Sequence, residues 1–335
     1  MLVVLLACAQ TAQAQNGLDR VRRLSSLESG EVTRVSALEV TLARNGVDKR
    51  IPSYEIRSIA FADEPRELSD ARQLLQAGRY EQAVEKLNPL SRKSLGRREL
   101  DQEVAFGIAS ARGRLALAGQ ADAAEGRAAV GAFVSKHKNS YHLPAAIELL
   151  GDLELAAGNL DGARSQYEKL TKPGVAYYAL RAALLLGRLD QAAGDHPAAV
   201  TQFQKVLSDT VSAGEELTLA ATLGSAVSRS ATGDVAEAAV DVRRIIAAAD
   251  NEDTALLARA WNALGDCYRE ARDTKSSHLA YLHVDVLYPQ QSDQHARALY
   301  HLVGLWNELG RAGRSQDAAA RLQEDYPESR WAAKL

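Results

Sequence analysis

The sequence predicts a mainly α-helical protein, a solenoid of stacked helical hairpins with a small β module at its N-terminal end. Three observations point there. Alanine supplies about 60 of the 335 residues while aromatics make up only 5%, and alanine is the strongest helix former and lets helices approach closely. From Glu64 onward glycines and alanines recur with a regular period, as stacked repeats require. Residues 21–62 instead carry apolar side chains at a spacing near two, which belongs to strands. The 46% hydrophobic and 25% charged contents exclude disordered and collagen-like chains.

The chain divides into 1–15, 16–63 and 64–335. Its first nine residues, MLVVLLACA, form a short apolar run, and Ala12-Gln13-Ala14 follows as a small-residue cleavage site. This pattern reads as an export signal. The run is too short to cross a bilayer, so no transmembrane span is expected in the mature chain. Leu5-Leu6-Ala7-Cys8 also resembles a bacterial lipobox, which makes Cys8 a candidate lipid anchor and peripheral envelope association an option. Cleavage after Ala14 leaves Cys267 as the only cysteine, so an exported chain of this size is held by packing rather than by an internal disulfide.

In the second segment Val32, Val35, Leu38, Val40 and Leu42 alternate, and Ile51, Ile56, Ile59 and Phe61 follow. Asn45-Gly46 between two apolar runs predicts a tight hairpin, since both residues tolerate positive φ. Pro52 ends the strand after it. About four short strands with one apolar face are expected, and they resemble a small curled sheet or Sm-like barrel.

The helical part is clearest at Ala258 to Pro289. Trp261, Leu264, Gly265 and Tyr268, with Tyr281 and Pro289 behind them, give the W-x-x-L-G-x-x-Y pattern, and the chain here resembles the tetratricopeptide repeat. Trp261, Leu264 and Tyr268 fall on one stripe of a first helix, Gly265 lets the second helix approach, and Pro289 stops it. Ser277 stands where the family has alanine, and Arg272 where it has a turn glycine. Weaker copies share the frame: Leu150-Gly151 with Tyr167, Leu186-Gly187 with Phe203, and Leu223-Gly224 with Val242. Gly78-Arg79-Tyr80, Gly119 with Ala124, and Leu302 with Trp306 and Gly310 complete about seven hairpins. The resemblance implies a right-handed α-solenoid.

Tyr326-Pro327-Glu328-Ser329-Arg330-Trp331, partly repeated at Tyr288-Pro289, and Lys138-Asn139-Ser140-Tyr141 resemble the junctions of envelope repeat proteins of the outer-membrane-assembly lipoprotein and Tol-Pal coordinator types. That resemblance agrees with the export signal and implies the periplasm or cell envelope.

No catalytic constellation emerges, so the expectation is no enzyme. Walker, G-x-S-x-G and G-x-G-x-x-G signatures are absent, and the seven histidines show no metal-ligand spacing. No metal and no cofactor are expected. His278, His283, His295 and His301 read as structural or solvent-facing, and Cys267 as a packed apolar side chain. With 40 basic against 43 acidic residues and no long basic block, nucleic acid is not an expected partner. The basic cluster Arg92, Lys93, Arg97 and Arg98 and the acidic one from Asp250 to Asp253 read as solvated turns between repeats.

By resemblance to the family, the first helices line a concave groove that takes a protein or peptide partner. The groove positions are then Glu148, Asp152, Arg181, Arg188, Arg259, Asn262, Asp266, Arg269, Tyr300 and Asn307. Their mixed charge suits an extended peptide held by hydrogen bonds and ion pairs. The resulting expectation is a non-catalytic protein-interaction adaptor. The alternative is a cell-wall or polysaccharide binder that uses the β module, with the solenoid as spacer.

Overall fold

The structure, a computed structural model, describes residues 17–335. The expected export signal, its expected cleavage site and Cys8 lie outside the described residues. Five antiparallel strands come first: β1 (Asp19–Arg23), β2 (Leu27–Val35), β3 (Glu39–Arg44), β4 (Val47–Pro52) and β5 (Ile56–Ala60), in the order β4-β3-β2-β1-β5. The Asn45-Gly46 hairpin forms as expected, with φ of 52° and 76°. The strand beyond the expected four is β5, which a 3-10 turn at Ser53–Glu55 separates from β4. Pro52 ends the period there, and the chain then resumes it in a new direction to pair with β1.

Fourteen helices follow among the described residues, paired as seven hairpins. They are α1 (Arg66–Gln76) with α2 (Tyr80–Ser91), α3 (Arg98–Leu117) with α4 (Ala123–Lys136), α5 (Leu143–Ala156) with α6 (Leu160–Glu168), and α7 (Ala176–Ala192) with α8 (His196–Leu207). The last three pairs are α9 (Thr210–Ala231) with α10 (Val235–Ala248), α11 (Thr254–Glu270) with α12 (Thr274–Leu287), and α13 (Ser292–Glu308) with α14 (Ala312–Asp325). Side chains of Asn159, Asp195 and Asp273 accept hydrogen bonds from the first free amides of α6, α8 and α12, which is why these second helices start where they do.

Three of the seven hairpins, α5 with α6, α7 with α8 and α11 with α12, are closed by an aromatic ring of the second helix seated on a glycine of the first. Tyr167 sits on Gly151, Phe203 on Gly187, and Tyr281 on Gly265, and any Cβ at these glycines would fall within 2.7 Å of ring atoms. Phe203 also meets Gly224 of the next hairpin, so one ring fixes both packing distances. The two departures from the repeat pattern have physical accounts. Ser277 is fully buried, and its hydroxyl donates to the Gly265 carbonyl at 2.9 Å. Ser315 does the same to Val303 at 2.8 Å in the last hairpin. Arg272 holds the glycine turn position with φ of 59°, a conformation that costs an L-residue about 1–2 kcal/mol. Arg272→Gly should therefore raise the unfolding free energy by about 1 kcal/mol, measured by urea denaturation, after the added freedom of the unfolded chain is subtracted.

The sheet is welded to the helices rather than hung from them. Val21, Val32, Val40, Leu42, Ile51 and Ile59 share one core with Leu68 of α1, Leu87 of α2 and Leu100 of α3. Arg97 is a correction to the reading of the basic cluster as a solvated turn. Its guanidinium pairs with the buried Asp19 at 3.0 and 3.2 Å, donates to the Val32 carbonyl and lies 4.4 Å over the Phe61 ring. Ion pairing and a cation–π contact together outweigh hydration for this one member of the cluster. Further along, first helices of neighbouring hairpins touch directly, α3 on α5, α7 on α9 and α9 on α11, which puts them on the inner side of the curve. The curve returns on itself. Gly119, in the turn between α3 and α4 with φ of 78°, lies against the Glu328 carbonyl beyond α14, where a Cβ would stand 3.1 Å from that oxygen.

Candidate functional site

The ten positions expected from the sequence to line a groove fall into three groups in the structure. The first gathers on the concave side of α5, α7 and α11. Arg181 pairs with Glu148 through two hydrogen bonds, one of them from Nε at 2.9 Å. Burial works against the Arg181 cation, but Glu148 outweighs it and raises its pKa. Asp152 accepts a 2.7 Å hydrogen bond from Tyr167, while burial raises its carboxyl above the ordinary range against that bond.

Arg188 and Arg259 complete this group and are exposed. Arg259 bonds only to a backbone carbonyl of its own helix, Nε to Ala255 O at 3.2 Å. Neither guanidinium forms a salt bridge among the described residues. Arg188 is reachable by solvent but crowded by the surrounding wall, and it is poorly compensated. Burial and the Arg181 cation lower its pKa, Arg259 acts in the same sense, and Glu148 and Asp152 only partly offset them. Two cations two hairpins apart in sequence thus disfavour one another's charge. A crowded cation with incomplete counter-charge is stabilised by any anion that enters.

The second group belongs to the packing. Asn262 is fully buried, and its amide donates to the backbone and side chain of Gln294 at 3.0 Å, joining α11 to α13. Asp266 is 2% exposed; it accepts from the Tyr281 hydroxyl at 2.6 Å and from Arg297. The groove reading of Asn262 and Asp266 is corrected on the ground of burial: both Asp266 oxygens and the Asn262 Nδ2 are bonded to neighbouring helices, and Asn262 Oδ1 is buried among them without a partner. The third group lies at the C-terminal end. Arg269 and Tyr300 border a cavity of about 630 Å³ with Arg272, His301 and Lys334. Asn307 is exposed on the same helix as Tyr300, α13.

His301 has a consequence for stability. Its ring stacks on Tyr281 at 4.8 Å, and Asp266 lies 3.9 Å away and favours the charged form. Burial outweighs Asp266, and with Arg297, Arg269 and Lys334 it pushes the imidazole down from 6.5 to about 4. Between those values the unfolded chain binds a proton that the folded chain refuses. This contribution is complete above pH 6.5 and is lost on acidification toward pH 4, by at most about 1.4 kcal/mol per pH unit. Urea denaturation at pH 7 and pH 5 should show the loss, and His301→Gln should flatten the profile in that window.

Cys267 is fully buried, and burial pushes its thiol up to about 11, so it stays protonated. His295 is 2% exposed and bridges Asp285 at 2.8 Å and the Tyr326 hydroxyl at 2.6 Å, tying α13 to α12 and the C-terminal segment. Among the described residues no set of His, Cys, Asp and Glu side chains is placed to hold a metal, and no helix is long and apolar enough to cross a membrane.

Sequence reasoning missed the tyrosines where the sheet meets the groove. The Ser53–Ile56 corner leans on the N-terminal ends of α5 and α7. Tyr54 stacks on Tyr177 at 4.3 Å, and the Ser53 and Tyr178 hydroxyls are 2.7 Å apart. A signal was present: in a chain with so few aromatics, a Tyr-Tyr pair opening a helix and a lone tyrosine just after Pro52 called for a partner.

The sequence matches no protein-family model and no curated protein. Among solved structures, a tetratricopeptide repeat protein from Parabacteroides merdae is 15% identical, with a TM-score of 0.56 over 80% of this chain and 96% of that one. A Rap protein complexed with Competence and Sporulation Factor is 14% identical, with a TM-score of 0.54 over 80% of this chain and 77% of that one. These likenesses establish a tetratricopeptide-type solenoid as the fold.

Proposed function

We propose that this protein is a non-catalytic interaction scaffold of the bacterial cell envelope, and that its concave surface holds an extended, acidic segment of a partner protein on Arg188 and Arg259. The observation that carries this reading is the pair itself: two exposed guanidinium groups, without a salt bridge among the described residues, stand on the first helices α7 and α11, which with α9 form the inner side of the curve. A protein of the same fold in complex with Competence and Sporulation Factor supports binding as a use of this architecture. The apolar start with Ala12-Gln13-Ala14 and the Tyr-Pro junctions support export and the envelope. Wall binding through the sheet has less support, because the apolar face of the sheet is covered by α1, α2 and α3.

The test is affinity capture of the tagged full chain from native envelope fractions, over a series of salt concentrations. One protein should be enriched near stoichiometry. Arg188→Ala with Arg259→Ala should weaken its capture by at least about tenfold, and added salt should weaken it in the parent chain. Replacing Lys275 and Arg314, exposed on α12 and α14, should leave capture unchanged. Equal capture by both double variants would overturn the assignment of the groove.

A further inference from the structure

A second cavity, of about 220 Å³, opens where the sheet corner meets the inner wall. It is smaller than the cavities of about 300–1,000 Å³ that take drug-sized ligands, and its size suits one side chain. Tyr54, Tyr177 and Tyr178 form an aromatic wall, with Tyr54 and Tyr178 edge to face at 5.9 Å and Tyr177 and Tyr178 at 5.6 Å. Glu148 and Arg181 line another side and neutralise each other. Glu216, on α9, also lines the cavity; it is exposed and forms no salt bridge among the described residues. The lining therefore carries two carboxylates, Glu148 and Glu216, against the one arginine cation that both act on, and this excess negative charge stands beside the tyrosine wall.

We propose that this cavity is a subsite for a single arginine side chain of the bound partner. Tyrosine faces attract a cation through the ring quadrupole, and Glu216 supplies the counter-charge that the ion pair beside it has spent internally. Arginine suits the site better than lysine, because its planar guanidinium both stacks on aromatic rings and meets a carboxylate through two parallel hydrogen bonds. The subsite rests on the reading of the concave surface as a peptide groove and deepens it. A basic side chain at the sheet end and acidic groups toward Arg188 and Arg259 would fix the direction in which the segment lies.

The test needs no partner protein. N-acetyl-arginine methylamide and N-acetyl-norleucine methylamide are titrated separately into the full chain and followed by ligand-observed NMR. The arginine compound should bind and the norleucine compound should not. Glu216→Gln should weaken arginine binding at least about fivefold, with the far-UV circular dichroism and thermal midpoint of the parent chain retained. Equal binding of both compounds, or arginine affinity unchanged in Glu216→Gln, would overturn the subsite. Either result would leave the groove itself standing, since that reading is decided by capture on Arg188 and Arg259.

Discussion

Replacing Phe203 with alanine should lower the unfolding free energy by about 3–5 kcal/mol, the range for removing a large buried ring. Phe203 is completely buried and belongs to the core formed by Leu184, Val206, Leu217 and Ala221. Among the described residues its ring is the only one in contact with two repeat glycines, Gly187 of its own hairpin and Gly224 of the next, each placed so that a Cβ would come within 2.6 Å. Helices held apart by a ring cannot simply close over the space it leaves, because their backbones are also fixed by the neighbouring hairpins. The loss should therefore fall at the upper end of the range, and it should appear as a lower urea midpoint. A cost under about 1 kcal/mol would mean that the glycine–ring contact does not set the spacing of hairpins four and five.

Asp266→Ala should cost about as much, for an electrostatic reason. Removing one partner of a buried ion pair leaves the other charge without compensation, at about 3–5 kcal/mol. Here the orphaned groups are the Arg297 guanidinium and the Tyr281 hydroxyl, and the His301 ring nearby loses the one neighbour that favoured its charged form. The variant separates two readings of the same residue. If Asp266 were a groove contact, its removal would weaken partner capture and leave stability intact. The structure predicts the reverse, with stability lost and capture by the surviving folded protein within about twofold of the parent.

Much of this architecture can be read in the sequence because it is periodic. Sixteen residues separate Gly151 from Tyr167, Gly187 from Phe203 and Gly265 from Tyr281, and that fixed offset is the geometry of one ring on one glycine. The Asn45-Gly46 turn was equally legible, since its chemistry is local. What could not be read are contacts set by the curvature of the whole solenoid. Arg97 finds Asp19 across 78 residues, Asp266 finds Arg297 across 31, and Ser53 finds Tyr178 across 125. The repeat frame identifies which side chains face inward, but an inward side chain can face solvent, as Arg188 does, or a neighbouring helix, as Asn262 and Asp266 do. The difference lies in how tightly one hairpin follows the next, and no local pattern encodes that.

The claim that matters most is that a partner segment lies against the inner wall. Site-specific photo-crosslinking tests it most directly, with a photoreactive residue placed at position 259 on α11 and, separately, at position 275 on the exposed side of α12, in native envelope fractions. The account predicts one discrete adduct from position 259, competed away by excess untagged protein, and none from position 275. Adducts of the same kind from both positions, or from 275 alone, would contradict it.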